Sequence, residues 1–233
     1  MAMEISVIIP AFNEAKVITQ TVGEVKDFLK NNFSNFEIIV IDDDSTDRTL
    51  NLIKSISGVK VLHNLKNHGK GYTVKKGLLA AKGELILFMD ADNSTAITEL
   101  SKLLKHADQE TLAIGSRALP ESEIKIRQSK FKIFLGKTGN LLSRLIVAPG
   151  IYDTQCGFKL LPGKMKFIFN KMTINGFGFD YELIFLAKKY NFKVKEVPIV
   201  WSNNFNSTVK WHSYPLTLLQ LFQIRLYDLL GKY

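Results

Sequence analysis

The feature that most constrains the fold of this chain is an apolar run at residues 84–92 that ends abruptly in two carboxylates, Asp90 and Asp92. A strand buried on both faces of a sheet can hold such a run. It cannot hold charges, because burying an unpaired carboxylate is strongly unfavourable. Asp90 and Asp92 should therefore emerge where the strand leaves the sheet. In α/β sheets, this carboxyl end of the strands is where ligands bind.

Strands and helices alternate through the first half of the chain. Strands are predicted at residues 5–9, 36–41, 59–63, 84–89 and 111–115, and helices at 14–30, from 47 onward, at 71–81 and at 97–107, the first of them capped by Asn13. This alternation predicts an α/β fold in which helices flank a mostly parallel sheet. At 233 residues the chain is expected to form one domain, with a first half (1–118) and a C-terminal elaboration (119–233) that contains further amphipathic helices.

The chain is basic, with a formal net charge of +9. Such a charge attracts polyanions, whether nucleotides, phosphorylated lipids, anionic membranes or nucleic acid, and does not choose among them. The single cysteine, Cys156, excludes an internal disulfide and favours a reducing compartment. The apolar run at residues 5–9 is too short for a secretory signal, and no run of about 18 uncharged apolar residues predicts a spanning helix.

Residues 124–152 contain no Asp or Glu but six basic residues, and their apolar residues recur at helical spacing. The basic residues are Lys125, Arg127, Lys130, Lys132, Lys137 and Arg144. The pattern predicts a basic amphipathic helix. It could pack on the core with a solvated flank, or lie on an anionic membrane, where each basic group contributes about 1 kcal/mol. Nucleic acid is not expected as a partner, since the chain contains no recognisable nucleic-acid module.

Three acidic clusters lie at or just beyond predicted strand ends: Glu14 after the first strand, residues 42–44 after the second, and Asp90 with Asp92 after the fourth. In a parallel sheet they meet at one edge. So much negative charge requires a cation, and carboxylate oxygens suit Mg²⁺ or Mn²⁺ in a protein that handles phosphates. Asp90 and Asp92 are the predicted metal ligands.

Other polar residues of the sequence indicate a structural role, or indicate ligand binding less specifically than Asp90 and Asp92 do. Asp44 and Asp47, next to Ser45 and Thr46, are expected to form turns or helix caps. The sequence Gly69-Lys70-Gly71 could approach a phosphate through its backbone and ammonium group. The four histidines show no metal-ligand spacing and are treated as ordinary polar residues: His63, His68, His106 and His212.

Several motifs, taken together, resemble the inverting family-two glycosyltransferases of the GT-A fold. In the first half they are Val7-Ile8-Ile9-Pro10-Ala11-Phe12-Asn13-Glu14, Ile41-Asp42-Asp43-Asp44-Ser45-Thr46-Asp47 and Met89-Asp90-Ala91-Asp92. In the second half, Gly115-Ser116-Arg117, the basic helix, Asp153-Thr154-Gln155-Cys156-Gly157-Phe158-Lys159 and Phe179-Asp180-Tyr181-Glu182-Leu183 resemble the dolichyl-phosphate sugar synthases. The sequence of residues 153–159 resembles the dolichyl-phosphate β-glucosyltransferases more closely than the mannosyl enzymes.

The resemblance implies roles for the matching positions. The donor nucleotide-sugar would be bound by Pro10, Phe12, Glu14, Asp42, Lys70, Asp90, Ala91 and Asp92, with Asp42 addressing the base and Asp90 and Asp92 holding the metal. Arg117 and Arg127 would grip the acceptor phosphate. The chain departs from its relatives at Ser94, where some have a metal-binding glutamine, and near Lys210, where the mannosyl enzymes have an arginine. Lys210 would bind the phosphate as a point charge, without the bidentate fork of Arg.

A phosphate acceptor also makes chemical sense. A sugar hydroxyl must lose its proton to attack, so hydroxyl acceptors need a positioned general base. A phosphate monoester, with a second pKa of about 6, is already mostly dianionic. It must instead overcome repulsion from the donor diphosphate, which for unit charges about 4 Å apart amounts to roughly 4 kcal/mol at an effective dielectric of 20. The metal, Arg117, Arg127 and Lys210 are the cations available to offset it.

The expected function is transfer of a hexose, glucose from UDP-glucose, onto a polyprenyl or dolichyl phosphate by a protein peripheral to the cytoplasmic face of a membrane. Alternatives are the use of GDP-mannose, or transfer to a hydroxyl with Asp180 or Glu182 as base. Asp180 could also contact the sugar or simply cap a helix. A non-catalytic nucleotide-sugar or membrane-binding module is the alternative from another class. The resemblance also leaves room for a membrane-anchored partner subunit.

Overall fold

The computed structural model describes residues 4–126, 130–202 and 213–233. The strands are β1 (Ile5–Ala11), β2 (Phe36–Asp42), β3 (Lys60–His63), β4 (Leu85–Met89), β5 (Thr111–Ser116), β6 (Glu123–Ile126), β7 (Phe158–Pro162), β8 (Lys193–Pro198) and β9 (Val200–Ser202). The helices are α1 (Ile18–Asn32), α2 (Thr49–Ser55), α3 (Lys70–Ala80), α4 (Leu100–Leu104), α5 (Lys130–Ile146), α6 (Lys166–Lys171), α7 (Phe179–Lys189) and α8 (Ser213–Leu229), with 3₁₀ turns at Ile97–Glu99 and Gly163–Met165.

Within the described residues, seven strands form one mixed sheet in the order β3-β2-β1-β4-β7-β5-β8. The first four in this order are parallel to one another, as are β5 and β8, whereas β7 runs antiparallel to both of its neighbours. A separate parallel pair joins β6 and β9. The predicted α/β fold with a mostly parallel sheet is confirmed.

Both faces of the sheet are covered by helices because the strand side chains alternate between two apolar layers. Val7 and Ile9 belong to the layer with α1, α2 and α4. Ile8, between them, belongs to the layer with α3, α6, α7 and α8. This double burial explains why the central strands read as continuous apolar runs.

Several predicted elements differ in extent from the observed ones. β1 continues through Pro10, because its pairing with β4 has already ended at Ile8. The basic segment 124–152 divides into β6 and α5, and the predicted helix 97–107 shortens to a 3₁₀ turn followed by α4. The antiparallel strand β7 was not predicted at all. Pro198 ends β8, the strand at one edge of the sheet, where a residue without an N–H is tolerated.

No helix among the described residues combines the length and the hydrophobicity needed to cross a bilayer.

Candidate active site

The carboxyl ends of the parallel strands bring the acidic clusters to one edge of the sheet. β1 lies between β2 and β4, so the residues that follow these strands are neighbours. Burial, followed by the charges of Asp92, Asp90 and Asp47, raises the pKa of Glu14 to about 7, against an opposing effect of Lys70. The predicted convergence is present, and Glu14 is only partly ionised at neutral pH.

The loops after β1 and β2 hold each other in place. Asn13, with a φ of 58°, accepts hydrogen bonds at Oδ1 from the backbone N–H of Thr46 (2.8 Å) and of Asp47 (3.3 Å). Asp47 in turn accepts from the backbone N–H of Thr49 (2.8 Å) and of Ala15 (3.2 Å). The prediction that Asn13 caps α1 is wrong, because its carboxamide binds the neighbouring loop instead. Asp47 has the turn-forming role expected of it.

Asp42 is fully buried and only half satisfied by the protein. Its Oδ2 accepts from the backbone N–H of Ser45 (3.1 Å) and lies 3.1 Å from His63 Nδ1. Its Oδ1 is buried with no hydrogen-bond partner in the described part of the chain. A buried, unpaired carboxylate oxygen can accept a hydrogen bond from a ligand. The contact of Asp42 with a nucleotide base stays a prediction. His63 was not predicted as a site residue, although the parallel register pairs it with Asp42.

In the turn at residues 69–71, backbone N–H groups donate hydrogen bonds to other parts of the protein. The N–H of Gly69 donates to Asp43 Oδ2 (2.9 Å), and the carbonyl of Asn175 accepts from Gly71 (2.7 Å) and Tyr72 (3.2 Å). A Cβ at Gly69, whose φ is 95°, would lie 2.6 Å from the Asn175 carbonyl oxygen. The N–H groups of Gly69 and Gly71 are therefore already bonded within the protein, which leaves them unavailable for the backbone approach to a phosphate that the sequence suggested. The Lys70 side chain alone reaches the site.

Lys70 lies between acidic groups at the start of α3. Its Nζ is 2.8 Å from Asp90 Oδ1. Burial alone would lower the pKa of Lys70, but the charges of Asp90, Asp180 and Asp92 outweigh burial and raise it. Lys70 is therefore firmly cationic. Lys70 thus lies next to Asp90, whereas its contact with the donor nucleotide-sugar stays a prediction.

The position of Asp90 is determined by contacts with Gly157, in the segment that leads into β7. The backbone N–H of Asp90 donates to the carbonyl of Gly157 (3.0 Å). A Cβ at position 157 would lie 2.0 Å from Asp90 Oδ2, so only glycine leaves room for this carboxylate. The antiparallel pairing of β4 with β7 thus determines where Asp90 points.

Asp90 and Asp92 provide oxygen ligands of the kind that Mg²⁺ and Mn²⁺ prefer. Burial and the nearby charge of Asp90 raise the pKa of Asp92, as expected for two carboxylates that share a site. Among residues 4–126, 130–202 and 213–233, no three His, Cys, Asp or Glu side chains are grouped to hold a metal by themselves. The pair therefore fits a hard cation that takes its remaining ligands from elsewhere. Ser94 donates its N–H to Asp92 Oδ1 (3.0 Å).

Arg117 forms a bidentate ion pair with Asp153. Arg117 Nε and Nη2 donate to the two carboxylate oxygens of Asp153 at 2.7 and 2.8 Å, and the Arg117 backbone N–H donates to Asp153 Oδ2 at 2.8 Å. Glu196 Oε1 accepts from the backbone N–H of Asp153 at 2.9 Å. The guanidinium also stacks near Trp201, 5.3 Å from its ring centroid. Sequence reasoning missed the pairing of Arg117 with Asp153, because the two residues belong to separate motifs.

Asp180 and Glu182 lie on the first turn of α7 and are both engaged within the protein. Asp180 pairs with the fully buried Lys159 of β7, and burial raises the pKa of Asp180 although Lys159 opposes it. No side chain caps α7 at Gly178, so the predicted capping role of Asp180 is wrong.

Glu182 accepts four hydrogen bonds within the protein. They come from the N–H (2.8 Å) and hydroxyl (2.7 Å) of Thr173, the N–H of Ile174 (3.0 Å) and the hydroxyl of Tyr233 (2.7 Å). These bonds give Glu182 a structural task.

The remaining predicted residues divide into three groups. Pro10 and Ala91 are buried, and Phe12 is half-buried next to Asn13. The Ala91 carbonyl accepts from the Thr21 hydroxyl (2.8 Å), which ties the Asp90–Asp92 turn to α1. Arg127 and Lys210 lie outside the described residues, so their roles at the acceptor phosphate stay predictions.

Comparison with known proteins identifies the family. Residues 6–162 match the family described as Glycosyl transferase family 2. The chain is 33% identical to a dolichyl-phosphate β-glucosyltransferase of Trichomonas vaginalis (strain ATCC PRA-98 / G3), over 94% of this chain and 70% of that protein. It is 34% identical to the dolichyl-phosphate β-glucosyltransferase of Drosophila melanogaster, over 86% of this chain and 68% of that protein.

Solved structures share the fold at much lower identity. Mannosyl-3-phosphoglycerate synthase from Rubrobacter xylanophilus has a TM-score of 0.71 at 16% identity and covers 99% of this chain and 76% of its own. Glucosyl-3-phosphoglycerate synthase from Mycobacterium tuberculosis, solved with Mn²⁺ and uridine-diphosphate-glucose, has a TM-score of 0.67 at 17% identity and covers 96% and 78%. These likenesses confirm the predicted GT-A fold. The family match and the similarity to these relatives agree with the carboxylates at the strand ends. The chain therefore belongs to glycosyl transferase family 2, among the relatives of the dolichyl-phosphate β-glucosyltransferases.

Proposed function

We propose that this chain transfers glucose from UDP-glucose, with inversion, onto a polyprenyl phosphate such as dolichyl phosphate. The observation that carries the proposal is the segment 153–157, which holds both halves of the site. Asp153 pairs with Arg117 at one end, and Gly157 makes room for Asp90 at the other. A cation suited to an acceptor phosphate therefore lies next to carboxylates suited to a donor diphosphate and its metal.

The reaction needs no proton acceptor when the acceptor is a phosphate. An oxygen of the lipid phosphate forms a bond to the anomeric carbon, while the bond from that carbon to the diphosphate breaks and its electron pair leaves with the nucleotide. A dianionic phosphate has no proton to lose. Asp180 is paired with Lys159, and Glu182 accepts four hydrogen bonds, so neither carboxylate is poised as a base. This arrangement favours a phosphate over a hydroxyl acceptor.

A divalent ion, Mg²⁺ or Mn²⁺, would be held by Asp90 and Asp92. Bound there, it would neutralise charge on the departing diphosphate. Asp42, with its unpaired buried Oδ1, would accept a hydrogen bond from the nucleotide base. Arg117 would attract the acceptor phosphate while Asp153 fixes the plane of its guanidinium.

A lipid acceptor implies that the protein docks on a membrane. Helix α8, which packs on α5, carries apolar side chains that could form the docking surface together with those of α5. We call the exposed apolar side chains of these two helices and of the turn after α8 the α5/α8 face. They are between 53 and 80% exposed: Leu141, Leu145, Leu216, Leu219, Phe222, Leu226, Leu229 and Leu230. So large an apolar patch marks an interaction site, and the acid-free, basic composition of residues 124–152 suits anionic lipid.

The side of the membrane is part of the same proposal. The single cysteine, Cys156, is buried and burial raises its pKa to about 12, so its thiol is unreactive and plays no redox role. A chain without disulfides suits a reducing compartment. We assign the protein to the cytoplasmic face of its membrane, where a membrane-anchored subunit could assist it.

Direct transfer to lipid tests the function. The protein is incubated with Mn²⁺ or Mg²⁺, polyprenyl phosphate in detergent or vesicles, and UDP-glucose, GDP-mannose or UDP-N-acetylglucosamine as donor, and the organic phase is analysed for lipid-linked sugar. We expect product from UDP-glucose with a metal and none with EDTA. Product from GDP-mannose alone would refute the assignment of glucose, and glucosylation of a polyprenol but not of its phosphate would refute the phosphate acceptor. An Asp153→Asn variant should lower transfer to lipid more than it lowers UDP binding.

A further inference from the structure

Lys70 pairs with Asp90, one of the two carboxylates proposed to hold the metal. Its ammonium lies 2.8 Å from Asp90 Oδ1 and within 6.0 Å of the ring centroids of Phe88 and Phe177. A Mg²⁺ ion needs its ligand oxygens about 2.1 Å away. A divalent ion on Asp90 would therefore lie in the immediate neighbourhood of a full positive charge.

The backbone at Lys70 is fixed, whereas its side chain can turn. Asp43 and the Asn175 carbonyl bond the amides on either side of it, at Gly69 and Gly71. A lysine side chain has four rotatable bonds and carries a compact charge that can change partners. A lysine ammonium, with an ordinary pKa of about 10.4, stays charged at neutral pH when it moves. An anion that arrives beside Asp90 is the natural new partner for it.

We propose that Lys70 is the resident counter-cation of Asp90, and that it yields this carboxylate to a divalent metal only when a diphosphate arrives to accept its ammonium. The inference rests on the proposed function, since it assumes that Asp90 and Asp92 bind a metal. Its consequence is that the metal and the nucleotide bind cooperatively. In the absence of a nucleotide, Lys70 keeps metal affinity low by pairing with Asp90 and by repelling the ion.

Mn²⁺ binding to the purified full chain, followed by the electron paramagnetic resonance signal of free Mn²⁺, tests the inference without any turnover. Four proteins are titrated with and without UDP: wild type, Lys70→Met, Lys70→Gln and Lys164→Met. Lys164 is a surface lysine, 3.7 Å from Glu110, and its substitution removes the same charge outside the site. Circular dichroism and thermal unfolding verify that each variant is folded.

In the wild type, UDP should tighten Mn²⁺ binding about tenfold or more, a normal size for coupling between two ligands. Both Lys70 variants should bind Mn²⁺ alone about tenfold more tightly than the wild type, and UDP should add threefold or less. Lys164→Met should match the wild type. In an Asp90→Asn background, replacing Lys70 should change Mn²⁺ affinity much less than in the wild type, because the shared partner is absent and only the repulsion of the ion remains.

Unchanged or weaker Mn²⁺ binding in folded Lys70→Met and Lys70→Gln would overturn the inference, as would UDP coupling equal to that of the wild type. These outcomes are separate from a failure of the proposed function. Glucose transfer with unaltered Mn²⁺ binding in the variants rejects the role of Lys70 alone. The expected Mn²⁺ result without transfer to any lipid phosphate rejects the proposed acceptor alone.

Discussion

At the scale of single residues, the site concentrates more carboxylates than its own basic side chains compensate. Lys70 pairs with Asp90, but Glu14 and Asp92 keep raised pKa values because both are buried close to other acids. Natural proteins accept such local conflicts where a ligand resolves them. The stored repulsion predicts how this edge responds to pH and to small changes in shape.

The first prediction concerns Glu14 and pH. Burial, followed by the charges of Asp92, Asp90 and Asp47, raises the pKa of Glu14 from its ordinary value of 4.5 to about 7 in the folded protein, with Lys70 opposing. A raised carboxyl pKa stabilises the fold fully below the unfolded pKa, and this contribution is lost as pH rises through the folded pKa. In EDTA, the free energy of unfolding should therefore fall between pH 5 and 8 more steeply in the wild type than in Glu14→Gln. Urea denaturation at each pH measures it, and parallel curves for the two proteins would contradict the assignment.

The second prediction concerns Gly157. Alanine at this position would place its Cβ 2.0 Å from Asp90 Oδ2, so the carboxylate must move away. We expect Gly157→Ala to lower kcat/KM for glucose transfer about 100-fold, since a shift of about 1 Å in a reacting group can have that effect. Gly23→Ala on α1 is the control, because a Cβ there meets nothing within 4 Å. The control should gain about 0.5–1 kcal/mol in stability and keep its activity. Equal activity of the two variants would show that the position of Asp90 is not critical.

At the scale of elements, α8 connects the α5/α8 face to the site. Gln220 on α8 accepts from the backbone N–H of Gly178 (2.8 Å), and Tyr233, beyond the end of α8, donates to Glu182 (2.7 Å). Glu182 holds Thr173 and Ile174, which precede the Asn175 carbonyl that bonds the start of α3. The helix that exposes part of the α5/α8 face is therefore also one support of the loop beside Lys70.

A third prediction separates a structural Glu182 from a catalytic one. Glu182→Gln should lower the free energy of unfolding by about 2–3 kcal/mol, because a buried acceptor of several hydrogen bonds is lost. Tyr233→Phe removes one of these bonds and should lower it by about 1 kcal/mol. In the folded protein, kcat for glucose transfer should fall less than about fivefold, whereas loss of a general base lowers it about 100-fold or more. Exposed Glu121→Gln is the control. A large loss of kcat without loss of stability would restore Glu182 as a base.

At the scale of the whole molecule, the net charge and the exposed apolar side chains suit the lipid surface proposed above. The chain has a net charge of +9, and the α5/α8 face exposes leucines and one phenylalanine. Electrostatic attraction brings a basic protein to an anionic surface, and apolar burial then holds it there. The two contributions differ in their response to salt, because ions screen only the first.

The fourth prediction uses that difference. Binding to vesicles with anionic lipid, measured by sedimentation, should weaken as the salt concentration is raised from about 50 to about 500 mM, because screening of surface charge becomes nearly complete over this range. Leu219→Ser combined with Phe222→Ser should weaken binding about tenfold at every salt concentration, since apolar burial is lost. Leu65→Ser, in the loop between β3 and α3, is the control, because Leu65 is 91% exposed but lies outside this face. Equal binding by all three proteins would exclude the α5/α8 face as the docking surface.

Much of the first half could be predicted because its signals are local. The apolar runs of β1, β2 and β4 are properties of consecutive residues, and parallel connections then bring their carboxylates together. β7 was missed because Lys159 interrupts its apolar sequence, and a buried lysine argues against a strand unless its partner is known. That partner, Asp180, lies on α7. The cap predicted at Asn13 failed for the same reason, since the loop that binds its carboxamide comes from β2.

The sequence by itself determined the α/β class, the edge where Glu14, Asp42 and Asp90 meet, and the family to which the chain belongs. Only the tertiary structure decided which charges pair: Arg117 with Asp153, Lys159 with Asp180, and Lys70 with Asp90. The physical reason is range. Periodicity and the exclusion of charge from a strand act between neighbours in the chain, whereas an ion pair depends on where distant segments pack. The antiparallel strand β7 and the segment leading into it place Lys159 and Asp153 against their partners, and α3 places Lys70.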